Sequence, residues 1–232
     1  TGSWQNYAVG LGLDGPVHGR DLDRVVAFYR DRGVAPTVEV SPFAHESLIH
    51  GLAERGFALR EFETVLARTI APREDLRPSS WPQGLEIVDV DPRDDEQVRT
   101  FIDVSTSGFR PEGHPLDGAN EVLSRRMVEH PRSRAFLALV DGVAAGGGAV
   151  EIGEDVACLF GTSVLPAFRR RGIQQALILR RLERCREEGS SLAVIHSIPG
   201  AATDRNALRL GFTLAYTRVV LYQRPPEQPR ID

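Results

Sequence analysis

The stretch from Val164 to Leu177, VLPAFRRRGIQQAL, constrains this chain more than any other. Three arginines stand directly before a glycine, and an apolar, helix-forming segment follows. A helix begins with unpaired N–H groups and a partial positive charge, so arginines there oppose folding unless an anion binds. Gly172 would let the backbone approach such a ligand closely. The segment therefore predicts a phosphate-binding turn, with an ordinary basic helix start on the surface as the alternative.

The composition narrows the class of protein. The chain has 232 residues, of which 41% are hydrophobic, enough for one large or two small domains. Its net charge of −4 argues against broad nucleic-acid binding, which needs an extended basic surface. No apolar run approaches the roughly 20 residues of a membrane span, and no secretory pattern opens the sequence. We therefore expect neither nucleic acid nor membrane as a partner.

Lysine and cysteine usage limit the chemistry further. All 28 basic residues are arginine, so no lysine can act as a Schiff base or complete a G-x-x-x-x-G-K-[ST] nucleotide loop. The two cysteines, Cys158 and Cys185, are too few for a disulfide scaffold. Both lie in apolar segments, and we expect them to be buried in a cytoplasmic protein.

A proline-rich stretch without periodicity, APREDLRPSSWPQG, divides the chain. It predicts an N-terminal α/β subdomain, a linker, a larger domain and a tail, with boundaries at 1–70, 71–84, 85–223 and 224–232. In the first piece, Asp21 or Asp23 is expected to cap a helix that runs to Arg32. Apolar periodicity then predicts a strand at 37–40, a helix at 47–55 and a strand at 58–70.

The larger piece alternates strands and helices. Strands are predicted at 85–90, 134–140, 143–152, 156–164, 192–198 and 213–223. Helices are predicted at 94–105, 119–129 and 203–210, and a further helix follows the arginine-glycine turn and ends at 188. Asp141-Gly142 predicts a tight hairpin turn. The glycines at 146–148 predict a bulge or a close backbone approach within a strand.

One segment of the first piece echoes a segment of the second. RGFALREFETVL, from Arg55 to Leu66, is similar to LGFTLAYTRVVL, from Leu210 to Leu221, and both follow a short helix. We interpret this as a duplication, with chance similarity of two helix–Gly-Phe–strand units as the alternative. The first piece has no arginine-glycine turn, so only the second copy could bind an anion.

Two other patterns match known motifs without their context. GLGLDG, from Gly10 to Gly15, fits G-x-G-x-x-G, but a proline and no helix follow, so we predict a turn. The two imidazoles of HESLIH are five residues apart, about 140° around a helix, which does not suit a zinc site. We expect no metal.

The segment around the three arginines resembles motif A of the GNAT superfamily of acyl-CoA-dependent N-acyltransferases. That motif leads from a strand through Val-x-Pro and Arg/Gln-x-x-Gly-x-Gly/Ala into a helix, and Val164, Pro166, Arg169 and Gly172 match it. Gln174 stands where glycine or alanine is usual. Further on, RNALRLGF resembles the later Asn…Gly-Phe motif of the family, and the resemblance covers about 140 residues.

The resemblance implies an α/β (α+β) fold: a mixed, mostly antiparallel central sheet flanked by helices, with a V-shaped splay between two strands. It also implies acetyl-CoA as co-substrate. The backbone near 163–165 would pair with the pantetheine arm like an added strand. The implied cofactor-binding residues are Ser163, Val164, Leu165, Arg169, Arg170, Arg171, Gly172, Ile173, Gln174, Gln175, Ala176 and Asn206.

The acid and base of the implied reaction are less defined. Members of the family commonly use a glutamate as base and a tyrosine four residues before the Gly-Phe pair as acid, but that position is Ala207 here. Glu151, His196 and Tyr216 are the candidates to replace them. Each has a structural alternative: a solvated strand end, a hydrogen-bonded strand residue and an interface aromatic, respectively.

The acceptor is expected to lie near the long loop from Ser105 to Asn120, whose polar side chains are Arg110, Glu112, His114 and Asp117. The first interpretation is transfer of an acetyl group to a primary amine of a small molecule or peptide. A transferase of longer acyl groups and a non-catalytic acyl-CoA-binding module are the alternatives. A homodimer is compatible with any of them.

Overall fold

A computed structural model describes residues 6–77, 82–110 and 114–224 of the chain. The helices are α1 (Gly19–Arg30), α2 (Glu46–Glu54), α3 (Asp95–Thr106), α4 (Gly118–Glu129), α5 (Ile173–Glu187) and α6 (Ala202–Arg209). The strands are β1 (Thr37–Val40), β2 (Phe57–Thr69), β3 (Leu85–Asp89), β4 (Ser133–Val140), β5 (Val143–Ile152), β6 (Val156–Val164), β7 (Leu192–Ser197) and β8 (Thr213–Gln223). These elements confirm those predicted from the sequence to within a few residues at each end.

The strands follow one another as β1-β8-β2-β7-β6-β5-β4-β3 in a mixed, mostly antiparallel sheet. The predicted fold class is therefore confirmed. Packing divides the chain into a first unit, residues 1–65 and 215–232, and a second unit, residues 66–214. Strands β2 and β8 pass from one unit into the other, so each unit is described on its own.

The first unit pairs β1 with β8 in antiparallel register, Val38 opposite Leu221. Val38 and Val40 pack with Leu22, Leu48 and Leu52 of α1 and α2 in a small apolar core. Burying these aliphatic side chains stabilises the unit by about 2 kcal/mol each at most.

The N-terminus of α1 differs from the prediction. His18 is the N-cap residue and makes no capping hydrogen bond, so the expected cap by Asp21 or Asp23 is wrong. Asp21 lies in the first turn instead, where a carboxylate interacts favourably with the helix dipole without capping. The glycine-rich segment that precedes α1 forms turns, as expected, with positive φ at Gly10, Gly12 and Gly15.

The two similar segments have the same local structure. Strand β1, α2 and β2 follow each other as β7, α6 and β8 do later in the chain. In each unit a glycine with positive φ, Gly56 or Gly211, precedes the phenylalanine that leads into the last strand. This correspondence supports the duplication that the sequence suggests.

The second unit packs its sheet on two sides. One apolar core contains Phe136, Leu159 and Ile195 with Leu177 and Leu182 of α5. A second contains side chains of α3, α4 and the other sheet face. Strands β4 and β5 form the predicted hairpin through Asp141 and Gly142, both with positive φ, as a two-residue turn requires.

The stretch that the sequence marks as a linker contributes to this unit. Ile70 and Leu76 are buried in the same core as α5, and Arg186 of that helix hydrogen-bonds the carbonyl of Glu74. Residues 78–81 lie outside the described part, as does the predicted tail beyond Arg224. The four predicted ranges, and the three boundaries between them, stay predictions. No helix in the described residues is long and apolar enough to cross a membrane.

The three consecutive glycines of β5 confirm the predicted close approach and bulge. A Cβ on Gly146 would lie 2.7 Å from the carbonyl oxygen of Ser163, and one on Gly147 would lie 3.1 Å from the Phe101 ring. Between Gly147 and Ala149 the register with β6 shifts. Only glycine fits these positions without displacing backbone or ring atoms.

We predict that Gly146→Ala destabilises the protein by about 1–3 kcal/mol, because the added methyl group meets a backbone oxygen that cannot move alone. Equilibrium unfolding in urea measures the loss. Gly118→Ala is the matched control, since Gly118 begins α4 with open space around its Cα, and it should be neutral or slightly stabilising. Equal stability of Gly146→Ala and the wild type would contradict the close approach.

Candidate functional site

The site begins where two parallel strands separate. Pairing between β6 and β7 covers Val156 to Leu159 on one strand and Leu192 to Ile195 on the other. Beyond these pairs β6 continues to Val164 and β7 to Ser197. The sheet therefore opens at the C-terminal half of β6, which is the splay that the sequence resemblance implies.

A tight turn links β6 to α5. Residues Pro166–Phe168 form a single 3-10 turn, and Arg170 and Gly172 both have positive φ, 64° and 80°. The first hydrogen bond inside α5 runs from Ala176 N–H to the Gly172 carbonyl, so the N–H groups just before Ala176 have no partner within the helix. No side chain in the described residues caps this end. Alternating backbone conformations with free N–H groups form an anion-binding concavity.

The three arginines concentrate positive charge at this turn, and Asp141 is an acidic residue that shares a neighbouring cavity with Arg171. Arg169, Arg170 and Arg171 are exposed, and the first turn of α5 contains no acidic residue. Arg169 folds back, and its Nε–H donates to the Val164 carbonyl at 3.1 Å. The Arg171 guanidinium lies 5.5 Å from the centre of the Phe168 ring. Helix dipole and guanidinium charges thus add up at one point instead of compensating each other.

The free edge of β6 offers backbone groups to the opening. Leu165 N–H donates to the Ala145 carbonyl on β5, and Ser163 lies opposite Gly147. Because antiparallel backbone groups alternate, the N–H of Val164 points away from β5 and toward the splay, whereas its carbonyl on the same side accepts from the Arg169 Nε–H. The Ser163 hydroxyl is engaged elsewhere, 3.0 Å from the Ser107 hydroxyl. Of the predicted stretch 163–165, Val164 is the residue placed to pair with a ligand.

Helix α6 forms the opposite wall through side-chain amides. Gln174 donates to the Thr203 hydroxyl at 2.9 Å and accepts from Asn206 at 2.6 Å. The Asn206 oxygen in turn accepts from Gln175 and Arg209, both at 3.3 Å. Gln174, the departure from the family pattern, therefore ties the start of α5 to α6.

These elements enclose a cleft of about 570 Å³. It is lined by Thr162, Ser163, Val164, Phe168, Arg169, Arg170, Gly172, Ile173, Gln174, Gln175, Ala202, Asn206 and Arg209. Of the predicted cofactor residues, Leu165, Arg171 and Ala176 lie outside this lining; the N–H groups of Leu165 and Ala176 are already hydrogen-bonded within the protein.

Two candidate catalytic residues of the second unit have different positions. His196 directly follows Ile195, the last residue of β7 paired with β6, and its side chain is exposed. Ile195 faces α5, so alternation places His196 on the other face of the sheet, at the base of the splay. Glu151 pairs with Cys158, roughly 13 Å of extended strand before Thr162, the first β6 residue in the cleft. Neither residue lines the cleft, but His196 lies next to the point where the strands separate, whereas Glu151 lies away from it.

Tyr216 belongs to the first unit. Its ring makes an edge contact with Phe43, with ring centres 5.3 Å apart. Two residues on, buried Arg218 forms ion pairs with Glu39 and Glu63 at 2.9 and 2.7 Å. Tyr7, another residue of this unit, is partly buried near the same carboxylates. Burial raises its pKa to about 12, and the negative charge of Glu63 raises it further. The aromatic contact lies within the first unit, and the role of Tyr216 stays a prediction.

The predicted acceptor loop is partly structural. Asp117 caps α4 by accepting from the Asn120 N–H, and this hydrogen bond lowers the pKa of its carboxyl group. Arg110 is paired with Asp103. His114 is exposed, and Glu112 lies outside the described residues.

Sequence reasoning missed one buried residue beside the cleft, Arg181 of α5. Its side chain is 1% exposed and hydrogen-bonds backbone carbonyls of β5 and β6. Its spacing of four residues from both Leu177 and Cys185 places it on the apolar face of the helix, which is the signal that could have identified it.

Of the two cysteines, Cys185 is buried as predicted, which raises its pKa to about 12, whereas Cys158 is only partly buried.

The sequence of residues 97–212 matches the profile of the Acetyltransferase (GNAT) family. The match covers half of the chain and includes the splayed strand, the arginine-glycine turn and α6. The protein therefore belongs to the GNAT acetyltransferase family and is an acyltransferase. Among curated proteins, none shows significant sequence similarity to it.

Solved structures share the fold. A GCN5-related N-acetyltransferase from Kribbella flavida is 22% identical with a TM-score of 0.67, over 89% of this chain and 75% of that one. One from Sphaerobacter thermophilus is 17% identical with a TM-score of 0.64, over 90% and 70%. A tandem GNAT protein from the clavulanic acid biosynthesis pathway is 20% identical with a TM-score of 0.60, over 84% and 66%. At these identities the similarity concerns the fold.

We predict that Gln174 and Asn206 stabilise the cleft wall jointly. A double-mutant cycle with Gln174→Ala and Asn206→Ala should give a coupling energy of about 0.5–1.5 kcal/mol in urea unfolding, because each variant breaks the same amide hydrogen bond. Additive effects of the two substitutions would show that the bond does not tie α5 to α6 in solution.

Proposed function

We propose that the protein transfers the acetyl group of acetyl-CoA directly to a primary amine of a small molecule or peptide. The observation that supports this most is the turn at 169–172. Free N–H groups, a helix N-terminus and three arginines converge there beside the open edge of β6. Without a bound anion these positive groups repel one another, whereas a pyrophosphate would be held by them.

The residues present fit the acyl donor along its length. The N–H groups of the α5 start would bind the pyrophosphate, and the Val164 N–H would donate to an amide carbonyl of the pantetheine arm. The arm would then lead toward Thr162, whose N–H points to the same side as that of Val164, two residues away. Acetyl-CoA supplies an acyl group activated as a thioester.

The transfer requires the following groups of the chain. The N–H of Thr162 would polarise the thioester carbonyl as the amine nitrogen forms a bond to its carbon and the carbon–sulfur bond breaks. A base must accept the proton that the amine loses, and the departing thiolate must gain one. In this proposal His196, at the base of the splay, would carry a proton between amine and sulfur, so the reaction would need no other reactant.

Binding of the donor is tested by calorimetric titration. We predict that the wild type binds acetyl-CoA and CoA but not ATP, and that Gly172→Glu abolishes binding by steric block and like charge at the anion site. Gly172→Ala, which adds backbone strain at positive φ without charge, should weaken binding less.

Gly118→Glu is the matched control, because it adds the same side chain at another helix start with open space around it. It should bind acetyl-CoA like the wild type. Normal binding by Gly172→Glu would show that the turn at 169–172 is not the anion site. Absence of CoA binding by folded wild type would refute the proposed function.

The acid–base residue is tested with three variants and the best amine from an acceptor screen. We predict that His196→Gln lowers kcat about 100-fold or more and leaves the Kd for acetyl-CoA within about threefold. Glu151→Gln should change kcat little, because Glu151 pairs with Cys158 away from the cleft. Tyr216→Phe removes only the hydroxyl group. A large loss of kcat in Glu151→Gln or Tyr216→Phe, with His196→Gln unaffected, would transfer the role to that residue.

A further inference from the structure

One charged side chain of the second unit is buried without a counter-ion. Arg181 is 1% exposed, and within the described residues no carboxylate lies within ion-pair distance of its guanidinium. Burial lowers the pKa of Arg181 to about 10, still well above neutral pH, so the side chain stays charged. Proteins rarely retain an unpaired buried charge without a specific use for it.

The hydrogen bonds of Arg181 identify the feature that it supports. Its Nε–H donates to the Leu177 carbonyl at 2.9 Å, one turn back in α5. Its Nη1 donates to the carbonyls of Ala149 at 3.1 Å and Phe160 at 3.3 Å. These two residues form the last β5–β6 pair before the register shifts. Arg181 thus bonds both strands at the edge of the bulge.

The bulge leaves space for the Arg181 side chain. Gly148 of β5 faces two residues of β6, Gly161 and Thr162, and Gly161 has a φ of 58°. A Cβ on Gly148 would lie 3.1 Å from the Arg181 Cζ and 3.0 Å from the Thr162 Oγ1. The guanidinium therefore lies directly behind Thr162, which lines the cleft.

We infer that Arg181 is a positioning residue for acyl transfer: it fixes the bulge that turns the Thr162 N–H into the cleft, and its buried charge stabilises negative charge that develops on the thioester oxygen and sulfur. The inference rests on the proposed function. A charge held in a water-poor interior acts on a nearby anion far more strongly than one at the surface. The exposed arginines at 169–171 bind phosphate from outside, whereas Arg181 acts from within the sheet.

The test uses CoA bound to the full chain and needs no acceptor. The thiolate absorbance of bound CoA as a function of pH gives the pKa of its thiol, and the infrared stretch of 13C-labelled acetyl-CoA reports carbonyl polarisation. In the wild type the bound thiol should have a lower pKa than free CoA. Arg181→Met, similar in length but uncharged, should raise that pKa by about one unit and shift the carbonyl stretch toward its value in water.

Arg181→Lys restores the charge without the planar fork, and should shift the thiol pKa less than Arg181→Met does. Arg184→Met is the matched control: it is the same substitution one turn along α5, at a side chain that pairs with Asp89 at 2.6 Å, and it should change neither signal. With an acceptor in hand, kcat of Arg181→Met should fall at least about tenfold with KM for the donor changed less than threefold.

Failure of the inference and failure of the proposed function give different results in these measurements. If folded Arg181→Met binds CoA with an unchanged thiol pKa and carbonyl stretch, the inference is overturned and Arg181 is only structural. If Arg181→Met does not fold, the wild type alone decides: a bound thiol pKa at or above that of free CoA overturns the inference, and a lower one supports it. If the folded wild type binds no CoA, it is the proposed function that fails, and the inference with it.

Discussion

The separation of β6 from β7 is the constraint on which the rest of the second unit depends. A sheet is stable because neighbouring strands satisfy each other's backbone groups, and here that pairing ends after Leu159 and Ile195. Beyond this point β6 has, among the described residues, no strand partner on the side of β7, and the N–H of Val164 is turned toward the opening. It can be satisfied by water or by a ligand with amides of its own. The cleft, the turn that follows and the amide wall of α6 are all arranged around this edge.

The unpaired edge of β6 must be held in position by residues that pack against the face of the sheet. The bulge in β6, the glycine opposite it and the buried guanidinium of Arg181 form one assembly, because each leaves space or bonding capacity that another uses. An alanine at position 148 would compete with both Arg181 and Thr162 for the same volume. The specific geometry of the site therefore requires a charged side chain within an apolar core.

Much of this could be predicted from the sequence, for identifiable reasons. Strand and helix positions follow from apolar periodicity, and the Asp141-Gly142 hairpin from the positive φ that its turn requires. The turn at 169–172 follows from a glycine between three arginines and a helix-forming segment, and the binding of an anion there stays a prediction. The cap of α1 cannot be predicted in this way, since a first-turn aspartate and a capping aspartate differ by only a residue or two in sequence. Strand register determines which sheet face His196 occupies and how far Glu151 lies along its strand. The sequence alone does not define that register. The helical spacing of Arg181 indicates that it is buried, but its partners are backbone carbonyls, whose positions depend on a bulge between distant segments and cannot be read from the sequence.

The cations around the cleft are guanidinium groups, as are all 28 basic side chains of the chain. A lysine at position 169 or 170 could also bind phosphate, but its ammonium would be an amine within reach of a thioester. Guanidinium groups stay protonated and are poor nucleophiles at neutral pH. An acyl-transfer enzyme of this composition cannot acylate its own side-chain amines, because it has none. The side chains of the proposed phosphate site would therefore be chemically inert toward an acyl donor bound there.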